Sequence, residues 1–83
     1  MEKYKLLVKK SVAKDLRALP KRAVARVLKC MAALASEPRP VGCEKLSGQA
    51  RYRVRQGVYR VIYEIRDDVL TVVVVNVGHR RDV

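Results

Sequence analysis

Residues 51–60 read RYRVRQGVYR, and the rest of the fold is built around this stretch. Successive side chains of a β-strand point to opposite faces. If the segment is extended, Arg51, Arg53 and Arg55 line one face while Tyr52 and Val54 take the other. Gly57 permits a turn or a bulge, and Arg60 falls early in the apolar run that follows. A row of rigid, permanently charged, forked donors suits a polyanionic ligand.

Downstream, Val58 to Ile65 is β-branched and aromatic, Arg66-Asp67-Asp68 is a polar turn, and Leu70 to Val77 is almost continuously apolar. The four valines Val72 to Val75 predict a central strand covered on at least one face. Upstream, Tyr4 to Val8 reads as a short first strand. Ser11 is placed to cap a helix whose apolar stripe is Val12, Leu16 and Leu19. Pro20 stops that helix and suits the first turn of a second. There Val24, Val27, Leu28, Met31 and Leu34 recur at helical spacing, with Lys21, Arg22, Arg26 and Lys29 on the other side. The pattern ends at Ser36, before Pro38 and Pro40.

These elements predict an α+β fold in the order β-α-α-β-β-β. An N-terminal strand leads into an α-helical hairpin and then a three-strand antiparallel meander, with the helices packed on one side of the sheet. The 83 residues suffice for a single domain, 1–83, and show no linker, repeat or low-complexity segment.

Nineteen Lys and Arg against eight Asp and Glu give a net charge of +11. That imbalance favours nucleic acid, an anionic membrane surface or an acidic protein as partner. The basic residues are sorted by type. Residues 1–36 hold seven Lys and three Arg, whereas residues 37–83 hold Lys45 and eight Arg. Arginine is the better residue for gripping phosphate through two parallel hydrogen bonds. Phe and Trp are absent, so the core is expected to be lean and further stabilised by a bound partner. Cys30 and Cys43, with one histidine, make no recognisable zinc site, and Cys30 reads as a small buried hydrophobe. Before Leu6 to Val8 nothing resembles a signal peptide, and no stretch has the length of a membrane span, so a reducing cytoplasm is the expected compartment.

The chain offers no carboxylate pair, glycine-rich phosphate loop, metal-ligand cluster or nucleophile motif. Neither a metal nor a cofactor is expected. What remains is arginine, tyrosine and His79. That set can still cleave RNA, which carries its own nucleophile in the 2′-hydroxyl. A protein has to align that oxygen, neutralise charge developing on the phosphate and move protons. Arginines serve the first two tasks but are poor bases, with pKa values above about 12. Histidine is the side chain whose ordinary pKa suits the third, which leaves His79 either as proton carrier or as a polar residue of a basic tail.

The segments YKLLVKKSVAKDLRAL, KLSG at 45–48, YRVRQGVYRVIYEI at 52–65 and VGHRRDV at 77–83 together resemble the RelE/ParE superfamily of type II toxin–antitoxin toxins. The resemblance spans nearly the whole chain and points to the RelE-like branch, whose members cut mRNA in the ribosomal A site. It implies catalytic roles for Arg53, Arg55, Arg60 and Arg80; His79 joins them as the candidate proton carrier on its own chemistry, and Lys45, Arg51 and Arg81 are expected to contact RNA. Arg60 would meet the scissile phosphate. Arg80 would serve the leaving group, and Arg53 with Arg55 would hold the neighbouring phosphate and the 2′-hydroxyl region. It further implies an acidic antitoxin that folds on this surface in an oligomeric complex, and the ribosome with its mRNA as target. Two departures stand out. RelE-like enzymes carry lysines where this chain has Arg53 and Arg55, and many relatives carry a tyrosine shortly after the VGHR segment that this chain lacks. Cleavage without the ribosome is therefore expected to be weak. Two other functions fit the same basic chain: a ParE-like inhibitor of DNA gyrase, and a non-catalytic basic module bound to an acidic partner.

Overall fold

Alternating and β-branched segments assemble into one five-stranded sheet in the computed structural model, which describes residues 3–46 and 50–79. The elements are β1 (Lys5–Val8), α1 (Lys10–Arg17), α2 (Lys21–Ser36), β2 (Glu44–Lys45), β3 (Arg51–Gln56), β4 (Tyr59–Arg66) and β5 (Thr71–His79). A 3-10 turn at Asp67–Val69 joins the last two strands. The strand order is β1-β5-β4-β3-β2. Strands β2 to β5 form an antiparallel meander, and β1 lies parallel beside β5. The helical hairpin makes that parallel pair possible. It carries the chain from one edge of the sheet to the other, and the meander then returns to β1.

The α+β architecture expected from the sequence holds, with three local corrections. A fifth strand, β2, precedes the expected three-strand meander. Helix α1 begins at Lys10 with Lys9 as its cap, so Ser11 lies inside the first turn and supplies no cap. Leu28, counted in the apolar stripe of α2, is 47% exposed. The buried stripe is narrower: Val27, Met31 and Leu34, with half-buried Cys30 packed beside them. Pro20 caps α2, where its missing N–H deprives the helix of nothing.

One face of the sheet carries Val54, Val61, Tyr63, Ile65, Val72, Val74 and Val77 against Val12, Val27, Met31 and Leu34 of the helices. Burying each such side chain contributes about 1.5–3 kcal/mol. In the absence of Phe and Trp, Tyr63 is the largest fully buried side chain. Its hydroxyl donates to the Pro38 carbonyl at 2.7 Å, so the polar end is satisfied in the interior. Strand β5 is buried on both faces, with Val73 and Val75 on the side away from the helices only 7% and 9% exposed.

Two irregularities set which side chains face which way. The β3–β4 connection is the two-residue loop Gly57-Val58, closed by the Gln56–Tyr59 pair. Gly57 has φ 62°, as the first central residue of a type II′ hairpin turn requires. The second irregularity is a bulge in β5: Tyr63 pairs with Val74 but Ile62 pairs with Asn76, so Val75 is an extra residue. Every side chain of β5 beyond it changes face.

Candidate functional site

Directly paired residues of antiparallel strands share a face, so the register sorts the side chains opposite the helices into cross-strand rows. The row nearest the Gly57 turn is Arg55–Arg60–Gly78. The next is Glu44–Arg53–Ile62–Asn76, running across β2, β3, β4 and β5. The third is Arg51–Glu64–Val73–Leu7. Arg53, Arg55 and Arg60 therefore stand together on one face of the hairpin. Gly78, opposite Arg60, carries no side chain.

The electrostatics follow the same arrangement. Arg53 Nη2 donates to Glu44 Oε2 at 2.6 Å. The Glu44 carboxyl is held below its ordinary pKa first by that bond and the Arg53 charge, then by the charges of Arg55 and Arg60. One carboxylate thus senses all three arginines. The Arg53 Nε is buried and has no hydrogen-bond partner among the described residues, and the same is true of Asn76 Oδ1 in the same row. Arg51 shares the face but is engaged elsewhere. Its Nε donates to Glu64 Oε2 at 3.2 Å, and Arg66 donates to the other oxygen at 3.3 Å. Burial pulls the Glu64 pKa upward, yet the two arginines together bring it below the ordinary value. At the far end of the sheet, Asp67 accepts from Arg39 at 2.8 Å and from the Tyr4 hydroxyl at 2.6 Å. Arg39 also lies over the Tyr52 ring, 5.3 Å from its centre.

The other expected site residues are placed differently. Lys45 pairs with Tyr52 and so falls on the face opposite Arg53. His79 pairs with Tyr59, on the helix side of the sheet, and meets its ring edge-on with 5.9 Å between centres. It lines a cleft with Asp15, Leu19, Tyr59 and Asn76. His79, the candidate proton carrier, thus stands on the face opposite the three arginines. Were Val75 paired in unbroken register, His79 would stand on the arginine face; the bulge turns it to the other. Arg80 and Arg81 lie outside the described residues. Glu44 and Asn76 were missed. Their neighbours in sequence say nothing of their place, which depends on register across β2, β3 and β5.

Among the described residues no group of three or more His, Cys, Asp or Glu side chains is placed to hold a metal ion. Among the same residues no helix is long and apolar enough to cross a membrane.

Comparison with known proteins adds to this geometry. The family model described as the ParE toxin of type II toxin-antitoxin system, parDE, matches residues 6–83. The chain is 38% identical over 74 residues to Toxin RelG of Mycobacterium tuberculosis, a match covering 84% of this chain and 83% of that protein. Among solved structures it is similar to the toxin-antitoxin complex RelBE2 from Mycobacterium tuberculosis. The TM-score there is 0.83 at 31% identity, covering 94% of this chain and 99% of that one. It is also similar to the archaeal RelE-RelB complex from Pyrococcus horikoshii, with a TM-score of 0.84 at 32% identity over 94% and 96% of the two chains.

Proposed function

The chain belongs to the RelE/ParE superfamily of type II toxin–antitoxin toxins, as a RelE-like toxin, and from that premise we propose that it is a ribosome-dependent mRNA endoribonuclease. The observation that carries the reading is the placement of Arg53, Arg55 and Arg60 on one face, where Arg53 already binds the carboxylate of Glu44. A face that holds an anion on one guanidinium and sets two more beside it suits a phosphodiester.

In this reading the 2′-oxygen attacks the adjacent phosphorus in line. The P–O2′ bond forms and the P–O5′ bond breaks, which leaves a cyclic phosphate and a 5′-hydroxyl. The proton of the 2′-hydroxyl is taken up, and one is delivered to the 5′-oxygen. Arg60, paired opposite Gly78, neutralises charge on the scissile phosphate. Arg53 and Arg55 grip the neighbouring phosphate and fix the 2′-hydroxyl region. Arg80 serves the leaving oxygen. His79, on the reverse face at the end of β5, reaches the reaction only where the RNA passes round that strand end. Its contact with Tyr59 equally makes it a packing residue. Positioning and charge neutralisation are the contributions the arginine face supplies by itself.

An acidic antitoxin that covers this face is the partner the net charge calls for, and the structural relatives named above were solved as complexes with RelB antitoxins. The decisive experiment is primer extension on a translated mRNA after induction, comparing the unsubstituted protein with Arg60→Ala. Frame-dependent cuts that vanish in the variant are expected. Growth arrest with intact mRNA and normal polysomes would refute the proposal. The ParE description of the matching family model favours a second reading, a gyrase-directed inhibitor. It predicts a DNA-damage response with translation unaffected, and toxicity that survives Arg60→Ala.

A further inference from the structure

Among the described residues, two carboxylates are ion-paired on the arginine face, and one is built into the sheet while the other is not. In the Arg51–Glu64 pair the carboxylate is the buried member, 20% exposed against 39% for the arginine, and a second arginine, Arg66, holds its other oxygen. In the Arg53–Glu44 pair the order is reversed. Arg53 is 23% exposed and Glu44 is 52% exposed. Glu44 sits on a two-residue edge strand paired with β3 alone. The guanidinium is therefore the fixed part and the carboxylate the exchangeable one. The fork of a guanidinium accepts a carboxylate or a phosphate in the same two-pronged geometry.

We propose that Glu44 is an internal occupant of the RNA phosphate seat. In the free protein its carboxylate takes the place at Arg53 that a backbone phosphate takes in the complex, and RNA binds by displacing it. This rests on the arginine face being the RNA-binding face. The ionised carboxylate screens three neighbouring arginines from one another in the free protein. It also lowers the site's affinity for weak anions, so that a ligand must bring enough phosphates to outcompete an attached rival. A nucleic-acid strand does so, and a single inorganic phosphate does not.

The test measures binding of an uncleavable 2′-O-methyl oligoribonucleotide at low ionic strength, for the unsubstituted protein, Glu44→Gln and Glu44→Ala. Asp68→Asn provides a charge-matched control at the opposite end of the sheet. Loss of a surface ion pair that competes with the ligand tightens binding about three- to tenfold in both Glu44 variants, while the control changes by less than about twofold. The gain disappears when Arg53→Ala is combined with Glu44→Gln. The proposal is overturned if the Glu44 variants bind no tighter than Asp68→Asn, or if the gain persists without Arg53. It is equally overturned if Glu44→Gln leaves affinity unchanged but severely slows cleavage of a translated mRNA in the primer-extension assay, since the carboxylate would then act in proton transfer. These outcomes are separable from failure of the wider reading. In that case Arg53→Ala and Arg60→Ala would bind as well as the unsubstituted protein, and both proposals would fall together.

Discussion

At the scale of single residues, the most consequential polar group in the core is the Tyr63 hydroxyl. Burial pushes its pKa well above the ordinary tyrosine value, and its proton goes to the Pro38 carbonyl. Tyr63→Phe keeps the ring and strands a buried acceptor, so it should cost about 1–2 kcal/mol in urea unfolding. An unchanged midpoint would show that water replaces the bond. The arginine face was legible at this scale because strand periodicity is a matter of geometry: Arg53 and Arg55 must share a side once β3 is extended. Arg60 was reached through the family resemblance, and the two-residue turn at Gly57 is what sets it opposite Arg55. Glu44 was not legible, because its partner Arg53 lies nine positions on, a separation that fixes no register. His79 was assigned by its chemistry alone, and chemistry does not reveal the bulge that decides its face.

At the scale of elements, the β3–β4 turn and the anchor of β5 hold the site. Gly57→Ala places a Cβ on a left-handed backbone and should destabilise by about 1–2 kcal/mol. In a domain of this size that lowers Tm by roughly 4–8 °C for each kcal/mol. RNA affinity should fall with it, since Arg55 and Arg60 are paired through this turn. The Asp15 carboxylate in α1 accepts the Val77 backbone N–H at 3.1 Å, just past the bulge. Asp15→Ala should cost about 1.5–3 kcal/mol, the range for hydrogen bonds to a charged group, and free the end of β5 for amide exchange. Helix α2 was legible to the residue at both ends, because Pro20 and Pro38 bracket a long amphipathic pattern. Its buried face was read too wide at Leu28. Strand β2 escaped because two residues, Glu44 and Lys45, are too few to show a period. The parallel seat of β1 also escaped, since nothing local to Lys5–Val8 names its neighbour.

At the scale of the whole molecule, charge governs both stability and binding. Hydrogen bonds from Arg53 and from Arg39 hold Glu44 and Asp67 below their ordinary values, and Glu64 is lowered despite its burial. A carboxyl that titrates lower in the folded chain binds fewer protons there than in the unfolded chain. Its contribution is complete above the unfolded value, about 4, and is lost as pH falls through the folded one. Thermal unfolding should therefore be flat from about pH 5.5 to 8 and fall below about pH 4.5. Tyr4 and Tyr63 titrate high, Tyr4 mainly through its bond to Asp67 and Tyr63 through burial, so their contribution is lost above about pH 10. If three or four phosphates are held, log affinity for single-stranded RNA should fall with log salt at a slope of about −2 to −3, and Arg53→Ala should reduce that slope by about 0.7. The pairing of β1 with β5 has a consequence for biosynthesis. Leu6 is synthesised early, yet its sheet partner Val72 follows 66 positions later. The sheet cannot close until translation has passed β5, which is also the strand that sets Gly78 beside Arg60. A nascent chain of this toxin thus stays unarmed while it is still being made, and translation that stalls before β5 releases an unfinished fragment rather than a working poison.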